Sequence, residues 1–438
     1  MLIGIHAVAP KSNGGVFRYT ESLLEVLGDM STPDDQFLVL FDGKMEYPPD
    51  LVERNGWATA SYAPTALGLL RSLGVNTVGD EVARRVWYAA ARIWPKSAVA
   101  QPIRVPSPDS RLESFHRTQG TEAMFYPAYS DAAFRVRVPA IATVHDLNHR
   151  FYDEFPEIRA YGEYERRERF FSNVARSAET VLVESQTGKE DLLSCYPDSG
   201  IEEERVVVLP MLPSRAATRP TSPDELEAVQ RRYGLPEDFL FYPAQFWPHK
   251  NHLRLIESLA LLRDGHGLGP ILVLVGSNRG SLRKRTFADM MRRVVQLGLE
   301  QQVLYLGHVS DQDLAALYDL SSALVMPTFF GPTNIPILEA FLRGRPVVTS
   351  DIRGLRDQSE GGAVLVDPRS PPAMAAGIRT VLTDTGRRNE LVAKGREVAG
   401  SYGPKEYGKI LSAALSAVKD RIRSHETRIR PLAACGKR

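Results

Sequence analysis

The 438-residue chain is too long for one ordinary core and comfortable as two domains of ~200 residues each, and two domains imply a cleft between them. A composition of 43% hydrophobic and 24% charged residues excludes a disordered or collagen-like protein. Lys plus Arg (54) nearly balance Asp plus Glu (53), so no global field recruits nucleic acid and any electrostatic function must be local. The first residues lack a basic-then-apolar leader and no stretch reaches ~18 apolar residues, so neither secretion nor membrane spanning is expected. Cys195 and Cys435, far apart in sequence, suit a reducing cytoplasm and exclude a Cys-based zinc site.

Short β-branched and aliphatic runs alternate with helical patterns, which predicts parallel sheets with helices on both faces. In the first half the strands are expected at 2–6, 36–42, 123–128, 140–146, 180–185 and 205–210. Between them, 62–120 reads as an inserted helical and loop region. It contains "ALGLLRSLG" (66–74) and an amphipathic helix at 80–96 with Val82, Val86, Ala90 and Ile93 at helical spacing. The stretch 211–230 is rich in Pro, Ser, Thr and charge, which is linker composition and places a boundary near residue 220. Strands resume at 239–245, 271–277, 303–309, 323–328, 346–351 and 363–368. The expected division is therefore 1–220, 221–405 and a C-terminal helix with a basic tail at 406–438.

Ligands of open α/β sheets bind beyond the carboxyl ends of strands, and four loops there carry unusual residues. After the first strand, Gly14 and Gly15 in "APKSNGGVFRY" let a backbone approach a ligand and lead into a helix with free N–H groups. The alternative is a plain glycine turn. The pattern is neither a dinucleotide fingerprint nor a P-loop. After the strand at 239–245, "AQFWPHKNH" offers Lys250 as a point charge for a phosphate, with His249 and Asn251 as donors; a solvated lysine is the plainer reading.

In "GPTNIPILEAF", Thr333 or Asn334 can cap a helix with Pro336 in its first turn, so residues around 331–335, Ile335 included, present donors to an anion. Glu339, about one turn on, can accept two hydrogen bonds from adjacent hydroxyls of a ribose or sugar, or else serve as a structural salt bridge. In "TVHDLNHRFY", His145 and Asp146 leave a strand, and His145 is placed to donate to a substrate hydroxyl or to titrate near neutrality. A satisfied structural histidine is the alternative. Together the four loops point to a ligand bearing phosphates and hydroxyls.

The order "GGVFRY", "TVHD", "YPAQFWPHKN", "LVLVGS", "LYLGHVSDQDLAALY" and "GPTNIPILEAF…GRPVVTSDIRGL" resembles the family 4 retaining glycosyltransferases of the GT-B fold, over nearly the whole chain and most densely at 239–370. The resemblance implies two Rossmann-like domains facing a cleft, the C-terminal one holding a nucleotide-diphosphate-sugar and the N-terminal one an acceptor. It further implies that Glu339 takes the ribose hydroxyls, that Lys250 binds phosphate, that Gly14 and Gly15 face the donor, and that His145 contacts the donor sugar. Two positions depart from the motif. Gly331 stands where the first glutamate is usual, and Gln245 where a phosphate-binding arginine is usual. Thr333, Asn334 and their amides are expected to take over part of the sugar site, and Lys250 with His249 the diphosphate.

The expected activity is retaining transfer of a hexose to a hydroxyl of a glycan or lipid-linked glycan in cell-surface polysaccharide synthesis, with mannose from GDP-mannose favoured. Front-face attack, no covalent nucleophile, no cofactor and no divalent metal are expected; "QFWPHKN" with "GPTNIP" resembles bacterial polysaccharide mannosyltransferases. The helix at 80–96 and the basic stretch 419–438 are candidates for peripheral contact with anionic lipid at the inner face of the plasma membrane, or simply a solvated helix and a frayed tail. The competing functions are a nucleotide-sugar epimerase or hydrolase on the same fold, and a non-catalytic glycan-binding partner of a transferase.

Overall fold

The computed structural model describes residues 1–7, 14–30, 35–41, 49–61, 109–130, 133–159 and 162–429. The expected helix at 80–96, the segment 66–74 and the end of the basic tail lie outside the described residues. The chain forms two compact units, one from Met1–His149, Arg159–Leu209 and the chain from Gly408 on, the other from Arg150–Ile158 and Pro210–Tyr407.

The first unit is built on a parallel sheet of β1 (Leu2–His6), β2 (Gln36–Phe41), β3 (Ala58–Ser61), β4 (Ala123–Tyr126), β5 (Ala140–Val144), β6 (Thr180–Val183) and β7 (Val206–Val208), in the order β3-β2-β1-β4-β5-β6-β7. β4, β5 and β6 are buried along their whole length because helices cover both faces, which is why they read as continuous apolar runs. The sequence reading missed β3. It is a largely exposed edge strand of Ala, Thr, Ala and Ser, too polar and too short to stand out as a run.

The second unit carries a parallel sheet of β8 (Phe239–Pro243), β9 (Ile271–Val275), β10 (Val303–Tyr305), β11 (Ala323–Met326), β12 (Val347–Ser350) and β13 (Ala363–Val366), in the order β10-β9-β8-β11-β12-β13. All six expected strands are present, each ending one to four residues before the expected end. The trailing residues belong instead to the loops that carry the candidate site.

Seven helices matter below: α1 (Gly15–Asp29), α2 (His252–His266), α3 (Ser281–Gln296), α4 (Asp311–Leu320), α5 (Ile335–Leu342), α6 (Arg353–Ser359) and α7 (Pro404–Ile429). In α5, Ile337, Ala340 and Phe341 recur at helical spacing and are fully buried, so burial fixes which way the helix faces despite its eight residues. From Gly408 on, α7 belongs to the first unit. Its Leu411, Ala414, Leu415 and Val418 form the buried stripe, while Lys419 pairs with Asp35 at 2.5 Å and Arg421 with Glu179 at 3.8 Å. These two cations of the basic stretch thus already have carboxylate partners.

The expected boundary near 220 differs from the observed division after Leu209. Residues 210–219 join the second unit because Arg343, at the end of α5, binds their backbone: its guanidinium donates to Ala216 O at 3.2 Å and Arg219 O at 2.5 Å. Linker composition did not make a linker. Among the described residues, no helix is long and apolar enough to cross a membrane.

Candidate functional site

Both sheets reverse their strand order between their first and fourth strands, at β1/β4 and β8/β11. A crevice opens at such a point because the flanking loops run to opposite faces. In the second unit the loop after β8 turns through a tight 3-10 segment, Pro248–Lys250, and ends on Asn251 at φ 62°, a left-handed conformation that asparagine tolerates. The Asn251 amide donates to Pro327 O at 2.9 Å and Pro368 O at 2.7 Å, tying this loop to those after β11 and β13. Lys250 is fixed at its root by that tie. Its ammonium reaches across the strand reversal to Asn334 Oδ1 at 3.3 Å.

Asn334 occupies the N-cap position of α5, yet its side chain makes no cap. Its carboxamide oxygen is taken by Lys250, which corrects the expectation that Thr333 or Asn334 caps this helix. Gln358 of α6 holds the Asn334 backbone from both sides, accepting from its N–H at 2.9 Å and donating to its carbonyl at 3.0 Å. Asn334 is only 7% exposed, and its Nδ2 has no hydrogen-bond partner among the described residues.

Gly331 has φ 136°, and a Cβ there would lie 2.7 Å from Asn334 Nδ2. A glutamate at 331 would be strained at this φ and would have to displace the Asn334 carboxamide. Gly354 completes the fit, since its Cβ would lie 2.6 Å from Pro332 O. Thr333 sits half-buried in the same turn, and Ile335 starts α5 with its side chain packed inward.

Gln245 is not a vacancy left by an arginine. Its Oε1 accepts from Trp247 Nε1 at 3.1 Å and from Arg283 Nη1 at 2.6 Å. Arg283 comes from the first turn of α3, and its guanidinium carbon lies 4.8 Å from the Trp247 ring centre. Burial lowers the pKa of Arg283 from its ordinary value. The sequence reading did not single out Arg283; the available signal was a helix start with several cations and no acid.

Glu339 is 4% exposed, and both its oxygens accept hydroxyls from the same unit. Oε2 accepts from Tyr318 of α4 at 2.7 Å, and Oε1 accepts from Ser214. Burial, and then the Glu339 charge, raise the Tyr318 phenol well above its ordinary pKa, so it stays a donor. A carboxylate can accept about four hydrogen bonds, so lone pairs remain.

His249, expected as a free donor, is engaged locally: Nδ1 lies 2.7 Å from Glu157 Oε1 and the ring stacks on Phe330 at 4.0 Å. Glu157 belongs to the segment Arg150–Ile158, which the sequence places in the first half and the fold places in the second unit.

In the first unit His145 lies just beyond β5. Its Nδ1 is 2.5 Å from Glu184 Oε1, its Nε2 is 2.9 Å from the Pro127 carbonyl, and Tyr19 of α1 meets the ring edge-on at 4.8 Å. Burial alone would lower its pKa, but the Glu184 carboxylate and the Pro127 carbonyl raise it above the ordinary value. Two acceptors, one at each nitrogen, call for an imidazolium that donates to both. Both contacts thus favour the charged form of His145. Asp146 accepts from Arg167 at 3.1 Å. Gly14, at φ 59°, caps α1 without a side chain, and among the described residues a Cβ at Gly15 would meet nothing within 4 Å.

Residues 227–398 match the family model described as Glycosyl transferases group 1. The chain is 26% identical over 265 residues to the O-antigen chain mannosyltransferase B of Escherichia coli, covering 60% of this chain and 66% of that protein. It is 35% identical over 167 residues to an uncharacterized glycosyltransferase of Methanocaldococcus jannaschii, covering 37% of this chain and 41% of that one. The matches thus span less than two thirds of the length of these curated relatives.

Among solved structures, Anabaena HepE in complex with UDP-glucose superposes with a TM-score of 0.70 at 17% identity, over 95% of this chain and all of that one. WaaG, a glycosyltransferase involved in lipopolysaccharide biosynthesis, superposes with a TM-score of 0.63 at 15% identity, over 94% of this chain and 98% of that one. With two parallel Rossmann-like sheets that share a strand order and a stretch of the second unit that matches the glycosyl transferases group 1 model, the chain has the GT-B fold and resembles the bacterial polysaccharide mannosyltransferases.

Proposed function

We propose that the protein is a retaining glycosyltransferase that moves a hexose, mannose from GDP-mannose, to a hydroxyl of a glycan or lipid-linked glycan. The observation that carries this reading is the Lys250 to Asn334 bridge across the β8/β11 reversal, within the stretch that matches the glycosyltransferase family model. It puts an ammonium, a buried carboxamide and the start of α5 at one point, where a diphosphate and the sugar joined to it find charge and donors together. The choice of mannose is supported by the O-antigen mannosyltransferases of E. coli and Salmonella typhimurium among the relatives.

On this reading the acceptor oxygen bonds to the anomeric carbon on the face the diphosphate leaves, and the leaving phosphate oxygen takes the acceptor's proton. Negative charge grows on the diphosphate as its bond to the sugar breaks. Lys250 and the loop amides are already aimed there and need no reorganisation, which is how fixed charges lower a barrier. Ribose hydroxyls reach Glu339 by exchanging with those of Ser214 and Tyr318. Because protein cations meet the diphosphate, activity persists in EDTA.

The test is thermal unfolding with GDP-, UDP- and ADP-sugars, followed by product analysis with mannoside acceptors. A donor at ~100 times its Kd stabilises by ~2.7 kcal/mol and shifts the Tm by a few degrees. A selective shift with GDP-mannose and an α-linked product are expected. Hydrolysis or epimerisation without a glycan product would replace the transferase with another enzyme of the fold, and no shift with any donor would leave a non-catalytic partner.

A further inference from the structure

We propose that Arg283 supplies the guanidinium that grips the donor's diphosphate, a role the residue at 245 does not fill; this rests on the nucleotide-sugar reading above. The loop after β8 carries Gln245, Trp247 and Lys250 within a few residues, on the first strand of the strand-order reversal. Glutamine is neutral and offers an oxygen, so it cannot neutralise a phosphate but can hold a cation that does. It holds Arg283, 2.6 Å from Oε1, while Trp247 donates to the same oxygen and lies under the guanidinium. One N–H is bonded and one face is stacked. A guanidinium has five N–H donors, so the rest of the fork is fixed in direction without being used up.

The delivery of Arg283 to this loop is built into the backbone. The residues after β9 press against those after β8 at Gly276, where φ is 143° and a Cβ would lie 2.1 Å from Ala244 O. Only glycine permits that approach, and it brings the start of α3, which follows five residues later, beside Gln245.

The electrostatics call for an anion. Among the described residues Arg283 makes no ion pair, and its recorded neighbours are an amide and an indole. Partial burial without a counter-charge lowers its pKa, an unfavourable position that a phosphate would relieve. Lys284 beside it and the absence of any acid in the first turn add to the cost, because cations at a helix N-terminus oppose the macrodipole.

The experiment measures binding of UDP, GDP and ADP by calorimetry, and of uridine, guanosine and adenosine by NMR titration, to the wild type, Arg283→Gln, Arg283→Lys and the exchange Gln245→Arg/Arg283→Gln. For whichever diphosphate binds the wild type, Arg283→Gln is expected to weaken it about tenfold to a hundredfold, the worth of a charge-assisted contact, while the matching nucleoside is unaffected. Arg283→Lys keeps the charge without the fork and falls between. The exchange variant recovers most of the loss, which a merely structural Arg283 would not allow.

Equal diphosphate affinity in the wild type and Arg283→Gln, or a parallel loss of nucleoside and diphosphate, overturns the assignment while leaving the transferase reading in place. If the wild type binds none of the three diphosphates, the nucleotide-sugar reading itself falls, and this assignment with it. Should Arg283→Gln fail to fold, the Lys and exchange variants carry the same comparison.

Discussion

The two sheets share a strand order and, His249 on Glu157 aside, treat charge at their carboxyl ends in opposite ways. In the first unit a histidine meets a carboxylate, His145 on Glu184 at 2.5 Å, and the carbonyl of Pro127 takes its other nitrogen. In the second unit cations meet carboxamides, Lys250 on Asn334 and Arg283 on Gln245. A carboxylate fixes a cation and cancels it, whereas an amide oxygen fixes it without adding a counter-charge. Positioned positive charge is what a phosphate site needs, which is the ground for proposing the second unit as the donor side.

That contrast is broken or sharpened first at Lys250. Lys250→Ala is expected to lower kcat/KM for the donor about a hundredfold to a thousandfold, the range for removing one fixed donor aimed at developing charge. Its stability should fall by only about 1 kcal/mol, since Asn334 Oδ1 loses one hydrogen bond. Glu184→Gln should show the reverse pattern, a clear loss of stability with donor affinity retained. Steady-state kinetics and denaturant unfolding of both variants check the pair; a Glu184→Gln enzyme that loses donor affinity as severely as Lys250→Ala would end the distinction between the units.

Glu339 is a different case within the second unit, a carboxylate in company with hydroxyls. Glu339→Ala leaves two buried donors, Ser214 and Tyr318, without an acceptor. The expected cost is about 3 kcal/mol, read as a lowered midpoint of urea unfolding. Loss of donor binding in that variant would therefore not by itself report a ribose contact. Glu339→Gln keeps one acceptor oxygen and the side-chain shape, so it should cost about 1 kcal/mol. If Glu339→Gln still loses the donor-induced thermal shift, the ribose role stands; if the shift is intact, the carboxylate is architectural.

Where the sequence was readable, the cause was local. The six strands of the second unit are runs of Val, Leu, Ile and Phe buried on both faces, and the residues just after them, Lys250, Gly331 and Asn334, lie where strand-end loops must be. What escaped depends on pairings distant in sequence. Arg283 matters through Gln245, Glu339 through Ser214, and His249 through Glu157, and no periodicity or cap signal links such positions. Residues 210–219 were read as a linker because Pro, Ser and Thr are common in linkers, yet here their backbone carbonyls are the acceptors for Arg343. Edge strand β3 escaped for the opposite reason, having no apolar run to read.

The smallest effect sharpens the contrast through pH, because each unit holds a histidine whose burial has the opposite outcome. His252 opens α2 with its ring stacked between Tyr242 at 4.8 Å and Phe246 at 4.5 Å, and neither ring nitrogen has a hydrogen-bond partner among the described residues. Burial, then the nearby charges of Lys250 and His249, lower its pKa to about 3. Below an unfolded value of about 6.5, the unfolded chain takes up a proton that the native state refuses. Stability contributed by a neutral His252 is therefore lost as pH falls from there, by about 1 kcal/mol over the first pH unit.

His145 runs the other way. Its raised pKa means its contribution is whole below about 6.5 and is lost as pH rises through the folded value. The stability of the wild type minus that of His252→Leu should thus decline toward acid, and the wild type minus His145→Gln should decline toward alkali. Urea unfolding of the three proteins from pH 5 to 9, with amide exchange to assign each loss to its unit, separates them. Differences that slope the same way would mean that His145 is not held as an imidazolium.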